Sequence, residues 1–125
     1  MNIVLTGFMG TGKTAVGRRL AEQMRVPFVD VDASIEKEAN RSIRAIFETD
    51  GEAYFRKLES EVIVRLSALD KTVISTGGGA LLDPRNREHL RKNGILICLT
   101  ARVGTLLERL RGDLTRPILT GENPE

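Results

Sequence analysis

Gly7-Phe8-Met9-Gly10-Thr11-Gly12-Lys13-Thr14 matches the pattern G-x-x-x-x-G-K-[ST] in full. Glycines at these spacings let successive backbone amides converge on phosphate oxygens, and a helix that follows turns its positive dipole end to the same point. The lysine reaches the β and γ phosphates and the next hydroxyl ligates Mg²⁺. Gly10, Thr11, Gly12, Lys13, Thr14 and Ala15 are thus the expected nucleotide contacts, with Thr14 also a metal ligand. The bland alternative is a glycine turn between a strand and a helix. The complete motif, lying between the apolar run Ile3-Val4-Leu5-Thr6 and a helical pattern, argues against it. It says nothing about a second substrate.

Asp30 and Asp32 lie two apart at the end of another apolar run. On a strand, that spacing puts both carboxylates on one side. Phosphoryl-transfer sites often place an acidic metal residue at a strand end, yet the third apolar run closes Ile74-Ser75-Thr76 with no acid. Asp30 is therefore the candidate metal ligand, direct or through water. Asp32 either holds a substrate hydroxyl and takes its proton, or caps the next helix, or does both.

Arg56 and Glu59 stand i, i+3 on a helical pattern. They form either a solvated ion pair or an arginine held to receive an anion bidentately. Spacing by itself favours the ion pair. Gly77-Gly78-Gly79 follows the third apolar run directly, which suggests close backbone approach to a ligand or a flexible turn. Arg109, Arg111 and Arg116 surround Gly112-Asp113, as a closing arginine loop or as a charged tail.

These residues need elements to position them. Short apolar runs predict strands at Ile3–Thr6, Pro27–Val29, Thr72–Ser75 and Ile95–Leu99. Between them lie helical patterns. Lys13 to about Arg25 carries Val16, Leu20 and Met24 on one face, and Asp32–Asn40 follows. Ser42 caps a short helix bearing Ile43, Ile46 and Phe47. Glu52–Leu69 is the longest, with Phe55, Leu58, Val62, Leu66 and Leu69 inward. Asp83-Pro84 starts a helix that Asn93-Gly94 ends, and Val103 to about Arg111 forms a last one. Residues 112–125 read as a polar loop. Strands alternating with helices imply a parallel sheet covered on both faces, with ligands at the carboxyl ends of the strands.

A chain of 125 residues has room for one domain. Hydrophobic residues at 41% and charged residues at 29% exclude a disordered or low-complexity chain. A net charge of +2 and 4% aromatics argue against a nucleic-acid partner. The lone Cys98 lies in the run Ile95–Leu99 and reads as a buried core residue, and His89 as a surface residue without metal partners. Glu36, Lys37 and Glu38 read as a solvated helix face. No segment has the apolar length to span a membrane, and Met1–Thr6 lacks a basic leader, so a cytoplasmic location is expected.

In this order the motifs resemble the shikimate kinase family. The matching pieces are GFMGTGKT at 7–14, DVD at 30–32, GEAYFRKLE at 51–59, TGGGA at 76–80 and TRPIL at 115–119. The resemblance runs from Met1 to about Leu119. It implies an α/β fold, namely a three-layer α/β/α P-loop kinase with a central parallel sheet. The single domain would comprise a core over 1–111 and a lid segment over about 112–125. The implied reaction moves the γ-phosphate of ATP to the 3-hydroxyl of shikimate.

By the same resemblance, Thr14 and Asp30 hold Mg²⁺, and Asp32 binds shikimate hydroxyls and is the base. Arg56 binds the shikimate carboxylate with support from Glu59, which overturns the preference from spacing. Gly77, Gly78 and Gly79 line the acceptor pocket, Arg116 reaches the phosphates from the lid, and Arg109 packs near the adenine. Lys13, Asp32 and Arg116 form the catalytic set. Family chains run longer, so a last strand is expected to be missing beside the fourth. The family implies a monomer, and the uncovered sheet edge would permit association. The alternatives are a non-catalytic nucleotide-binding module and another small-molecule kinase, such as a gluconate-type kinase.

Overall fold

The computed structural model describes residues 1–7, 13–77 and 79–99. The elements run β1 (Asn2–Gly7), α1 (Lys13–Met24), β2 (Phe28–Asp30), α2 (Val31–Ala39), α3 (Ile43–Ser67), β3 (Val73–Ser75), a short 3₁₀ turn (Ala80–Leu82), α4 (Pro84–Lys92) and β4 (Gly94–Leu99). The four expected strands are all present, and every pairing is parallel in the order β2-β3-β1-β4. The helix expected over 103–111 and the lid segment at 112–125 lie outside the described residues.

Alternation along the strands feeds two cores. Val4, Ile74 and Leu96 point to one side and pack with Val31, Ile35, Ile46, Val62, Ile63 and Leu90 from α2, α3 and α4. Leu5, Val73 and Ile97 point to the other and pack with Val16, Leu20 and Ala21 from α1. Apolar side chains on both faces are what a sheet covered by helices on both sides requires. The result is the three-layer α/β/α arrangement.

Helix boundaries follow local chemistry. Ser42 caps α3, its hydroxyl accepting the Ala45 N–H at 3.0 Å. Glu36, exposed on α2, also works there, because its carboxylate accepts the Ile43 N–H at 2.9 Å. Gly51 adopts φ 88°, ψ 172° inside α3. The helix is thus two segments broken at the glycine, as the sequence pattern implied. Asp83 caps α4 ahead of Pro84, accepting the Arg85 N–H at 2.9 Å.

Two inward assignments fail. Met24 is 45% exposed, because α1 turns Val16, Leu20 and Ala21 to the sheet and its last turn overhangs the core. Leu69 is 39% exposed and lies beyond the helix end at Ser67. Cys98 is half-buried, since β4 is the outer strand beside β1 among the described residues.

Candidate functional site

From β1 the chain crosses by α1 to β2 on one side, and from β3 it crosses by α4 to β4 on the other. The direction of winding therefore switches between β1 and β3. A crevice opens at the carboxyl ends of strands at such a point. The phosphate-loop motif follows β1 and the glycine run follows β3, so both loops leave from this crevice. Gly7 takes φ 145°, a value other residues resist, as β1 hands over to the loop. Thr76 fixes the departure of the second loop. Its N–H and its hydroxyl both donate to the Leu5 carbonyl at 3.1 Å, and the residue is 2% exposed.

The structure brings Thr14 and Asp30 together. The Thr14 hydroxyl lies 3.3 Å from Asp30 Oδ2, with Thr14 at the start of α1 and Asp30 at the end of β2. The other Asp30 oxygen accepts the Asp32 N–H at 2.9 Å and the Ala33 N–H at 3.5 Å. Asp30, and not Asp32, is therefore the cap of α2. The strand ends at Asp30 and Asp32 already stands in the first helical turn. The two carboxylates thus do not share one side of a strand. The Asp32 carboxylate faces the glycine run instead. A Cβ added at Gly77 would lie 2.8 Å from Asp32 Oδ1.

Arg56 and Glu59 form the second half. Arg56 Nη1 donates to Glu59 Oε1 at 2.8 Å, and Arg56 Nε lies 3.5 Å from Glu52 Oε2. Glu59 is 2% exposed, so the solvated surface pair that spacing favoured is not what forms. Burial disfavours the Arg56 charge, but hydrogen bonding and attraction from Glu59, then Glu52, prevail and raise its pKa above the usual arginine value. Arg56 is thus a permanent cation clamped on one edge by carboxylates, and its guanidinium carbon lies 5.2 Å from the Phe55 ring centroid. A Cβ at Gly79 would lie 2.5 Å from Arg56 Nη2. Glycine at 79 is what allows the loop backbone and the guanidinium to meet.

The site therefore runs from Thr14 through Asp30 to Asp32, which faces Gly77, and from Gly79 to Arg56 and Glu59. Oxygen donors suited to a hard cation lie at one end and a clamped cation suited to a carboxylate at the other. Ala15 opens α1 beside Thr14 and is exposed. Gly10, Thr11, Gly12, the Lys13 side chain, Gly78, Arg109 and Arg116 lie outside the described residues. Sequence reasoning missed Asn86, which is 2% exposed and binds the Ala80 carbonyl next to Gly79. An asparagine at the third position of a capped helix carries no local signal of that contact.

A family model described as Shikimate kinase matches residues 9–125. The shikimate kinase of Caldanaerobacter subterraneus subsp. tengcongensis is 49% identical over 124 residues, covering 99% of this chain and 72% of the relative. That of Symbiobacterium thermophilum is 52% identical over 126 residues, with the same coverage of both chains. The structure of shikimate kinase from Acinetobacter baumannii in complex with shikimate superimposes with a TM-score of 0.78 at 44% identity, covering 98% of this chain and 69% of that one.

Proposed function

The chain belongs to the shikimate kinase family, and on that premise we propose that it transfers the γ-phosphate of ATP to the 3-hydroxyl of shikimate. The observation that carries the choice of acceptor is the Arg56–Glu59 clamp. A guanidinium fixed at 2.8 Å on a buried carboxylate, pressed against Gly79, is a receptor for a small carboxylic acid.

In the proposed reaction the acceptor oxygen attacks the γ-phosphorus, the bond from that phosphorus to the bridging oxygen breaks, and ADP leaves. Positioning and charge neutralisation supply most of such a rate. Arg56 holds the acceptor carboxylate, while Asp32 orients the attacking hydroxyl and takes its proton. Gly77, Gly78 and Gly79 let the backbone approach the ring. Gly10, Thr11, Gly12, Thr14 and Ala15 cradle the phosphates, Lys13 and Arg116 neutralise the γ-phosphate, and Arg109 lies against the adenine.

Mg²⁺ fits Thr14 and Asp30, whose oxygens already converge at 3.3 Å. This cation takes one or two protein oxygens and completes its shell with phosphates and water. When bound, it neutralises phosphate charge. Among the described residues no cluster of three or more acidic, histidine or cysteine side chains offers a denser site. No helix among them is long and apolar enough to cross a membrane. A monomer acting in the cytoplasm, where ATP is the phosphoryl donor, matches this reading.

The test is a coupled ADP-release assay with ATP, Mg²⁺ and shikimate. Shikimate-dependent turnover is expected. Lys13→Ala should lower kcat roughly 10²-fold or more, as loss of one preorganised charge does. Arg56→Ala should raise KM for shikimate about 30- to 100-fold, the weight of a charge-assisted bidentate contact. Absence of turnover in a chain that ATP still protects from unfolding would sink the kinase reading in favour of a nucleotide-binding module.

A further inference from the structure

We infer that Asn86 is a positioning residue for the acceptor, acting through the Ala80 carbonyl on Gly77 and Gly79. The inference rests on the acceptor-site reading above. Asn86 is the third residue of α4 and is 2% exposed. Its Nδ2 donates to the Ala80 carbonyl at 2.8 Å. Only the nitrogen of the amide can donate to a carbonyl, so the orientation is fixed. The other end of the amide, Oδ1, is buried with no hydrogen-bond partner among the described residues.

That orphaned oxygen gives the argument. Leaving a buried acceptor unsatisfied costs at least as much as one ordinary hydrogen bond returns. As a packing residue, asparagine here is therefore no better than an apolar side chain of similar size. What the amide does supply is a fixed separation between α4 and Ala80. Ala80 is the junction of the acceptor loop. Its N–H donates to the Gly77 carbonyl at 3.3 Å, and the Gly79 carbonyl in turn accepts the Leu82 N–H at 3.2 Å.

Gly77 backs onto Asp32 and Gly79 onto Arg56. A glycine run has no side chains with which to hold itself in place, so it needs an anchor at each end. Thr76 on the Leu5 carbonyl is the first anchor. Asn86 on the Ala80 carbonyl is the second. Losing the second lets the loop drift from the two side chains that receive the acceptor.

The test replaces the amide by an apolar group of similar size. Asn86→Leu should raise KM for shikimate about tenfold or more, leave KM for ATP within twofold and still fold cooperatively. Amide hydrogen exchange at Gly79–Leu82 should quicken. An unchanged KM for shikimate in the folded variant overturns the inference, as does an equal rise in both KM values, which marks a general defect. If Asn86→Leu does not fold, the same readings on Asn86→Ser, whose hydroxyl is too short to reach Ala80, decide by the same criteria. If the parent shows no shikimate turnover, the functional reading has failed. The exchange rates then decide alone: faster exchange at Gly79–Leu82 supports the anchor and unchanged exchange overturns it.

Discussion

Gly79 separates two effects that most site residues combine. Its backbone, at φ −101° and ψ 0°, suits any residue, so alanine there meets no backbone strain. The added Cβ would meet the Arg56 guanidinium at 2.5 Å, at the far end of a flexible side chain. That end can swing away cheaply, at the expense of its aim. Gly79→Ala is therefore expected to shift the melting temperature little and to raise KM for shikimate tenfold or more, read by steady-state kinetics beside a thermal melt. A large drop in melting temperature with an unchanged KM would contradict this. The Arg56–Glu59 pair shows where single-residue reading stops. Spacing of i, i+3 says that two side chains can meet, and only the packing of α3 against α2, α4 and the 3₁₀ turn puts Glu59 in the interior. The phosphate-loop motif, by contrast, is written entirely in local sequence, because its backbone amides, lysine and hydroxyl follow one another along the chain.

At the scale of elements, strand and helix order was legible because hydrophobic periodicity and capping residues are local. The ends of helical stripes were not, as Met24 and Leu69 show, since the sheet's extent decides which turns overhang. The capping role of Asp30 was hidden for a related reason, because the strand stops two residues earlier than the alternation of the two acids suggests. Gly17 marks a contact between elements. A Cβ there would lie 2.4 Å from the Phe28 ring and 3.2 Å from Leu5 Cδ1. Alanine in a helix gains about 1 kcal/mol over glycine, whereas overpacking costs about 1–3 kcal/mol. Leu5 is fully buried and cannot retreat, so the second effect wins. Gly17→Ala should lose about 1 kcal/mol in denaturant unfolding, and a gain in stability would refute the packing argument.

The start of α4 carries a pH dependence of definite sign. Hydrogen bonds from the Arg85 side chain, then from its backbone N–H, hold the Asp83 carboxyl below the usual carboxylate range. The unfolded chain then binds the proton more readily, so the contribution is fully present above the ordinary carboxylate pKa. It is lost as pH falls through the lower folded value. Asp83→Asn keeps a capping oxygen without the charge. Amide protection in the first turn of α4, measured against the intrinsic exchange rate at each pH, should therefore fall in acid in the parent and stay flat in the variant.

At the scale of the whole molecule, the described residues close one rim of the sheet, and the proposed site lies at the other. At the amino ends of the strands, Asn2 donates to the Leu69 carbonyl at 2.9 Å and accepts the Thr72 N–H at 3.1 Å, while Asn93 donates to Leu69 at 2.7 Å. At the carboxyl ends, α1 leaves β1 on one face of the sheet, while the proposed acceptor determinants lie on α2 and α3 on the other face and on the glycine run. This division of labour predicts separable ligand linkage. A ligand at a hundred times its Kd stabilises the folded state by about 2.7 kcal/mol. For a domain of this size that corresponds to a rise in melting temperature of roughly 8 °C. ATP with Mg²⁺ should produce such a rise in both the parent and Arg56→Ala. Shikimate should produce it in the parent only, because Arg56 belongs to α3 and not to the phosphate-loop motif. Loss of both shifts in Arg56→Ala would mean that the two halves fold and bind as one unit, and the separation across the switch point would have to be abandoned.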